Sequence, residues 1–159
     1  SDLCIAVTLA REVPTLHFVA TDLSAEALHV ARANAGSHGV AVRVRCMQAD
    51  LLAPLLGPFD LIVSNPPYVA HEEWAALPAS VRREPRLALL AGSEGLDAVR
   101  SLLAQAKTRL RSGGLLLMEI GETQGDDVRA LAKSIFPQAD VRVLQDLAGK
   151  DRLLRIKMS

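Results

Sequence analysis

Phe59-Asp60-Leu61-Ile62-Val63-Ser64-Asn65-Pro66-Pro67-Tyr68 is the stretch that decides how this chain is read. Phe59 to Ser64 is an almost unbroken apolar run of strand length, the type buried on both faces of a parallel sheet. Two prolines then stop it. Each proline removes a backbone N–H and fixes φ. The residue before a proline is driven to an extended conformation, so Asn65 prolongs the strand and ends it. The carbonyls of Asn65 and Pro66 have no local helical donor. The stretch therefore predicts a stiff ledge of two acceptors, the Asn65 side-chain oxygen and the Pro66 carbonyl oxygen, with Tyr68 beside it.

Outward from this strand, apolar runs alternate with amphipathic segments. Upstream, residues 16–21 read as a strand ending at Asp22. Ser24 caps a helix to about Ser37, with Leu28, Ala31 and Ala35 on one face. Gly36 and Gly39 bracket its end, and residues 40–47 read as a second strand ending near Asp50. Downstream, residues 65–94 form a long connection with four prolines, and connections of that length inside a domain are usually functional or disordered. Residues 95–110 read as a helix with Leu96, Val99, Leu102, Leu103, Ala106 and Leu110 inward, stopped by Ser112-Gly113-Gly114. A strand follows over 115–120, then a helix over 123–135 with Val128, Leu131 and Ile135 inward. Residues 141–144 and 152–157 read as strands joined by a turn. The pattern predicts an α/β fold with a mostly parallel sheet covered on both faces. The last two strands lack an intervening helix and so form an antiparallel edge hairpin. The helix over 3–11 offers Leu3, Ile5, Ala6, Leu9 and Ala10 to a sheet, with no strand before it.

A chain of 159 residues, half of them apolar, fits one domain with a real core. Lys plus Arg and Asp plus Glu both number 18, so the formal charge is zero. Proteins that grip nucleic acid through many phosphates usually carry a basic excess. Cys4 and Cys46 form no CxxC pair and read as free, mostly buried thiols. His17, His29, His38 and His71 lack metal-ligand spacing, which predicts no metal site. With no signal peptide and no long charge-free apolar stretch, the expectation is a soluble cytoplasmic protein without a membrane partner. Trp74 reads as a loop anchor or a partner contact. Arg82, Arg83 and Arg86 read as a solvated face or a substrate contact, and Met47, Met118 and Met158 as core or terminal filler.

Ligands of open α/β sheets bind outside the carboxyl ends of the strands. That rule selects Asp22, Asp50 and Asn65, which are expected to line one crevice. Asp22 suits a ribose, because two carboxylate oxygens match a vicinal diol; a strand-end turn or a cap ahead of Ser24 reads equally well. Asp50 suits the exocyclic amine of adenine with Leu51 on the ring face, or simply caps the residues that follow. The Asn65-Pro66 ledge suits a planar NH2, whose two N–H groups fill both acceptors while Tyr68 lies against the plane. Such a nitrogen is delocalised and a poor nucleophile. Holding it in plane and aiming it at an electrophilic methyl is work of positioning and electrostatics. A strand-ending proline turn with a buried tyrosine is the plain alternative.

On these residues the chain resembles a known family. Asn65-Pro66-Pro67-Tyr68 at a strand end is the signature of class I methyltransferases acting on exocyclic or amide nitrogens. Ala20-Thr21-Asp22-Leu23-Ser24, Glu84-Pro85 with Ala88-Leu89, Glu119-Ile120-Gly121 with Gln124-Gly125, and Asp146-Leu147-Ala148-Gly149 with Asp151-Arg152 look specifically like the HemK/PrmC family. These are the protein-(glutamine-N5) methyltransferases of peptide chain release factors. The resemblance implies a Rossmann-like, seven-stranded sheet of order 3-2-1-4-5-7-6, whose first strand is missing from this chain. It implies S-adenosyl-L-methionine as cofactor, with Asp22 on the ribose, Asp50 and Leu51 at the adenine, and Asn65 also in the cofactor site. Asn65, Pro66, Pro67 and Tyr68 would hold the glutamine amide of the release-factor GGQ motif and form the catalytic set. Glu84-Pro85 and Glu119 match supporting positions, and Asp146 with Arg152 a hairpin-fixing pair. A release factor is the implied partner, with nucleic acid met only through the ribosome.

Family members carry a strand and a glycine-rich loop, roughly D-x-G-x-G-S-G, before the helix that begins here at Ser1-Asp2-Leu3-Cys4. Residues 1–159 are therefore expected to be the catalytic domain without that loop and without the amino-terminal helical domain. Two other functions fit the same residues. One is an adenine-N6 or other nucleic-acid amine methyltransferase, which would flip a base onto Tyr68. The other is a truncated, non-catalytic binding module.

Overall fold

The computed structural model describes residues 2–66 and 96–159, which divide into two compact units, 1–55 and 56–159. Pro67, Tyr68, Trp74, Glu84, Pro85 and the three arginines 82, 83 and 86 lie outside the described residues.

The first unit runs α1 (Asp2–Glu12), β1 (Phe18–Asp22), α2 (Ala25–Ser37) and β2 (Val44–Gln48). β1 and β2 pair in parallel, from Phe18 opposite Val44 to Asp22 opposite Gln48. Ser24 is the N-cap of α2, its hydroxyl accepting the Ala27 N–H at 3.1 Å, as Ser at this position predicts. Leu28, Ala31 and Ala35 bury one stripe of α2 against a core that includes Leu3, Ala6, Val7, Ala10, Ala20 and Val44. Burying one leucine of the Leu28 kind is worth ~1.5–3 kcal/mol.

Three expectations for this unit are corrected. Residues 40–43 form a turn, not the start of β2: Val40 O accepts the N–H of both Arg43 and Val44, at 2.9 and 3.1 Å. The inward face of α1 is Leu3, Ala6, Val7 and Ala10, with Ile5 and Leu9 only half-buried. Cys4 projects from the opposite side of that helix and is exposed, and Cys46 is half-buried.

The second unit holds β3 (Phe59–Ser64), α3 (Asp97–Lys107), β4 (Leu110–Glu119), α4 (Gly125–Ile135), β5 (Asp140–Gln145) and β6 (Asp151–Lys157). Its sheet has the order β3-β4-β6-β5, with β3 and β4 parallel and the two other pairs antiparallel. This is the 4-5-7-6 portion of the expected order, and the β5–β6 hairpin stands at the edge as predicted. The described residues supply six strands rather than seven. Alternation along β4 buries Leu116 and Met118, and continues to Ile120 just past its end; Leu102, Leu103, Val128, Leu154 and Ile156 are buried as well.

Here too the sequence reading needs revision. The helix ends at Lys107, and Leu110 already pairs with Phe59. Ser112-Gly113-Gly114 does not terminate a helix but forms an irregularity inside β4, where Gly113 takes φ +71°. The carboxyl end of the chain ties this segment down. Met158 N–H donates to Gly114 O at 2.9 Å, and Gly113 N–H donates to Ser159 O at 3.2 Å. α4 starts at Gly125, and its buried stripe is Val128 and Ala132, with Phe136 just beyond; Leu131 and Ile135 flank it half-buried. β3 is less enclosed than its composition suggests: Ile62 and Ser64 are buried, Leu61 and Val63 half-buried, and Asp60 is exposed and paired with Arg111 at 2.5 Å. Among the described residues no helix is long and apolar enough to cross a membrane.

Candidate active site

Every candidate residue within the described regions sits at or just past the carboxyl end of a parallel strand. Asp22 is the last residue of β1. Its Oδ1 accepts the Ser24 N–H at 2.8 Å, so the carboxylate is held in a fixed direction by the turn into α2. This is the turn-and-cap geometry allowed for in the sequence. It engages one oxygen only, and Oδ2 has no partner among the described residues. A half-buried carboxylate with one oxygen anchored and the other available fits a ribose hydroxyl pair.

Asp50 and Leu51 follow β2. Asp50 O accepts the Ala53 N–H at 3.0 Å, and the Asp50 side chain is exposed. Leu51 has φ +50°, the left-handed region that non-glycine residues seldom occupy. Thr21 Oγ1–H donates to Leu51 O at 2.8 Å, and Ala49 N–H donates to Asp22 O at 3.1 Å. The structure therefore brings Asp22, Asp50 and Leu51 into one cross-tied pair of strand-end loops. The sequence reading quoted Thr21 only as part of a family stretch and gave it no role, and it did not foresee the Leu51 backbone conformation. A threonine beside a strand-ending aspartate is too common to single out, and a positive φ at leucine leaves no mark in composition.

Asn65 and Pro66 follow β3 in the second unit, Asn65 half-buried and Pro66 buried. Ser64 pairs with Met118, so Asn65 and Glu119 occupy adjacent register positions at the carboxyl ends of β3 and β4. The start of β3 is fixed by Gly57, another residue the sequence reading passed over. Gly57 has φ +73° and lies so close to Arg109 that a Cβ there would sit 2.8 Å from its carbonyl oxygen. Phe59 N–H donates to that same oxygen at 2.7 Å.

Comparison with known proteins places this geometry in a lineage. Residues 4–81 match the family model described as "Methyltransferase small domain". A release factor glutamine methyltransferase of Moorella thermoacetica is 49% identical over 93% of this chain and 53% of its own length. One from Cereibacter sphaeroides is 49% identical over 98% of this chain and 56% of its own length. The chain belongs to the HemK/PrmC family. It spans about half the length of the curated HemK/PrmC relatives it matches. Among solved structures, a methyltransferase from Pyrococcus furiosus superposes with TM-score 0.69 at 16% identity, covering 97% of this chain and 68% of that one. A ribosomal protein L11 methylase from Lactobacillus delbrueckii gives 0.65 at 21% identity, covering 99% and 64%. These likenesses establish the Rossmann-like class I methyltransferase fold.

The HemK/PrmC stretches beyond the strand ends have structural roles here. Gln124 Oε1 accepts the Gly121 N–H at 2.9 Å, closing the turn between β4 and α4. A Cβ on Gly125 would fall 1.9 Å from Asp151 Oδ2, so glycine lets the hairpin carboxylate reach the first turn of α4, where the helix dipole favours an anion. Asp146 Oδ1 accepts the N–H groups of Ala148 and Lys150 at 2.9 and 3.1 Å, and its Oδ2 pairs with Arg152 at 3.4 Å. The Lys150 amide, then those of Ala148 and the Arg152 guanidinium, hold the Asp146 carboxyl below its ordinary value of 3.8. Asp146 and Arg152 thus fix the hairpin, as expected of them.

Proposed function

We propose that this chain is the catalytic core of an S-adenosylmethionine-dependent protein-(glutamine-N5) methyltransferase whose substrate is the GGQ glutamine of peptide chain release factors. The observation that carries the reading is the placement of Asn65-Pro66 at the carboxyl end of a parallel strand, in a chain 49% identical to relatives named for that activity. When bound, S-adenosylmethionine supplies a methyl group activated by its sulfonium. Asp22 takes the ribose hydroxyls through its available oxygen, and Asp50 and Leu51 meet the adenine. Asn65 Oδ1 and Pro66 O accept the two N–H groups of the glutamine amide.

Those two acceptors do the chemical work. They hold the nitrogen in one orientation, and correct orientation alone can supply ~7–11 kcal/mol of a barrier. As the nitrogen gains its fourth bond it gains positive charge. Acceptors already aimed at its hydrogens stabilise that charge more than they stabilise the neutral amide, which is the requirement for catalysis rather than mere binding. The surplus proton then passes from the methylated nitrogen to solvent water, since neither the Asn65 amide oxygen nor the Pro66 carbonyl is basic enough to keep it. Pro67 and Tyr68, which lie outside the described residues, are assigned to the same substrate-holding set by the family resemblance.

The test uses the complete natural protein, labelled S-adenosylmethionine, and either a release factor or duplex DNA. The expected result is one methyl group on the GGQ glutamine, located by peptide mass mapping, and no label on DNA. Label on adenine with none on the release factor would replace this reading by the nucleic-acid one.

A further inference from the structure

Leu51 is the one described non-glycine residue with positive φ, at +50°. Asparagine, aspartate or glycine would relieve the conformation at no cost in hydrogen bonds. Leucine has no polar atom with which to stabilise it locally, so the fold must impose it. The imposing contact comes from β1: Thr21 Oγ1–H donates to Leu51 O at 2.8 Å across thirty positions of sequence, partly buried from water. Two further ties reinforce it. Ala49 N–H donates to Asp22 O at 3.1 Å, and Gln48 Nε2–H donates to Leu23 O at 2.9 Å. The loops after β1 and β2 are thereby one body. Strain of this kind persists where the surroundings over-determine it, and such places are commonly ligand clamps. The retained side chain is apolar and half-buried, which suits the face of a planar ring.

We infer that Thr21 is a positioning residue for the nucleoside: its hydroxyl locks Leu51 in the left-handed conformation that presents Leu51 and Asp50 to the base, so that one strand, β1, sets both the ribose contact through Asp22 and the base contact through Thr21. This rests on the cofactor reading above. Thr21 does not touch the ligand. It acts by removing the alternative conformations that the Asp50-Leu51 turn would otherwise sample, and preorganisation of this kind shows in affinity and in base selectivity.

The experiment is calorimetric titration of the complete natural protein, and of its Thr21→Val, Thr21→Ala and Thr21→Ser variants, with S-adenosylhomocysteine and with its hypoxanthine analogue. Thr21→Val and Thr21→Ala are expected to bind S-adenosylhomocysteine about tenfold more weakly. Their preference for adenine over hypoxanthine shrinks, because Asp50 no longer meets the exocyclic amine in one fixed place. Thr21→Ser keeps the hydroxyl and stays within about twofold of wild type. Thr21→Ala places no new demand on packing and serves if Thr21→Val does not fold. Wild-type affinity in both hydroxyl-free variants overturns the inference, and so does an equal loss for the two bases, which marks a purely structural role. A wild-type protein that binds neither ligand overturns the cofactor reading itself, and the inference with it.

Discussion

Among the described glycines with positive φ, Gly57 should cost the most stability when replaced by alanine. Two independent terms add at this position. The backbone has φ +73°, and a Cβ in the left-handed region costs ~1–2 kcal/mol. The new Cβ would also lie 2.8 Å from Arg109 O and 3.2 Å from Arg109 Cα. Those are backbone atoms and cannot rotate away. Relief requires the 57–59 segment to withdraw from Arg109, which weakens the 2.7 Å hydrogen bond from Phe59 N–H, worth ~1 kcal/mol net. The sum is ~2–3 kcal/mol. For a chain of this size each kcal/mol lowers the melting temperature by ~2–4 °C, so Gly57→Ala should melt ~4–12 °C below wild type. Gly113→Ala is the matched control. Its φ is nearly the same, +71°, but nothing lies within 4 Å of its ideal Cβ. It should lose the conformational term alone, ~1–2 kcal/mol. Thermal and urea unfolding of the two variants side by side reads the difference. Equal losses would refute the close approach of Gly57 to Arg109 and with it the stated anchoring of β3.

Three further outcomes follow from the same geometry. Gly36 lies in the last turn of α2 with ordinary φ and open space around it, so Gly36→Ala should stabilise by up to ~0.8 kcal/mol, seen as a higher melting temperature. Asp22→Asn keeps an oxygen for the Ser24 amide but loses the charge, so its melting temperature should hold while S-adenosylhomocysteine binds ~10-fold more weakly by calorimetry. Asp146→Asn should be less stable than wild type at neutral pH. The Asp146 carboxyl is held below 3.8 in the fold, so its contribution is fully present above that value and disappears as pH falls through the lowered one. The gap between the two melting curves should therefore close at acid pH, below about 3.8, and not near neutrality.

Local chemistry explains what could be read directly. Ser24 before Ala25, the unbroken run to Ser64 and the helix-free spacing of β5 and β6 each declare themselves within a few residues. The failures are positions where a distant segment overrides the local signal. Ser112-Gly113-Gly114 looks like a helix stop until Met158 and Ser159 supply the hydrogen bonds that hold it against the end of β6. Val40 to Arg43 alternates like a strand, yet a turn closed on Val40 O takes it. α4 buries Ala132, with Phe136 at its end, where Leu131 and Ile135 were expected, because the stripe that faces the sheet is set by where the helix packs and not by which neighbouring side chain is apolar. The placement of Asp22, Asp50, Leu51, Asn65 and Pro66 at or just past strand ends was legible from the apolar runs and prolines. The roles of Thr21 and Gly57 were not, since each acts through a contact dozens of residues away.

The proposed chemistry depends on two oxygens, those of Asn65 and Pro66, accepting the N–H groups of a glutamine amide. The most direct measurement is single-turnover methylation of a release factor by the complete natural protein, at saturating S-adenosylmethionine, comparing wild type with Asn65→Ala. Loss of one preorganised partner of the reacting group should slow the methyl-transfer step by ~10²–10³-fold, with the melting temperature preserved. A rate for Asn65→Ala within about threefold of wild type, less than 1 kcal/mol in the barrier, would contradict it.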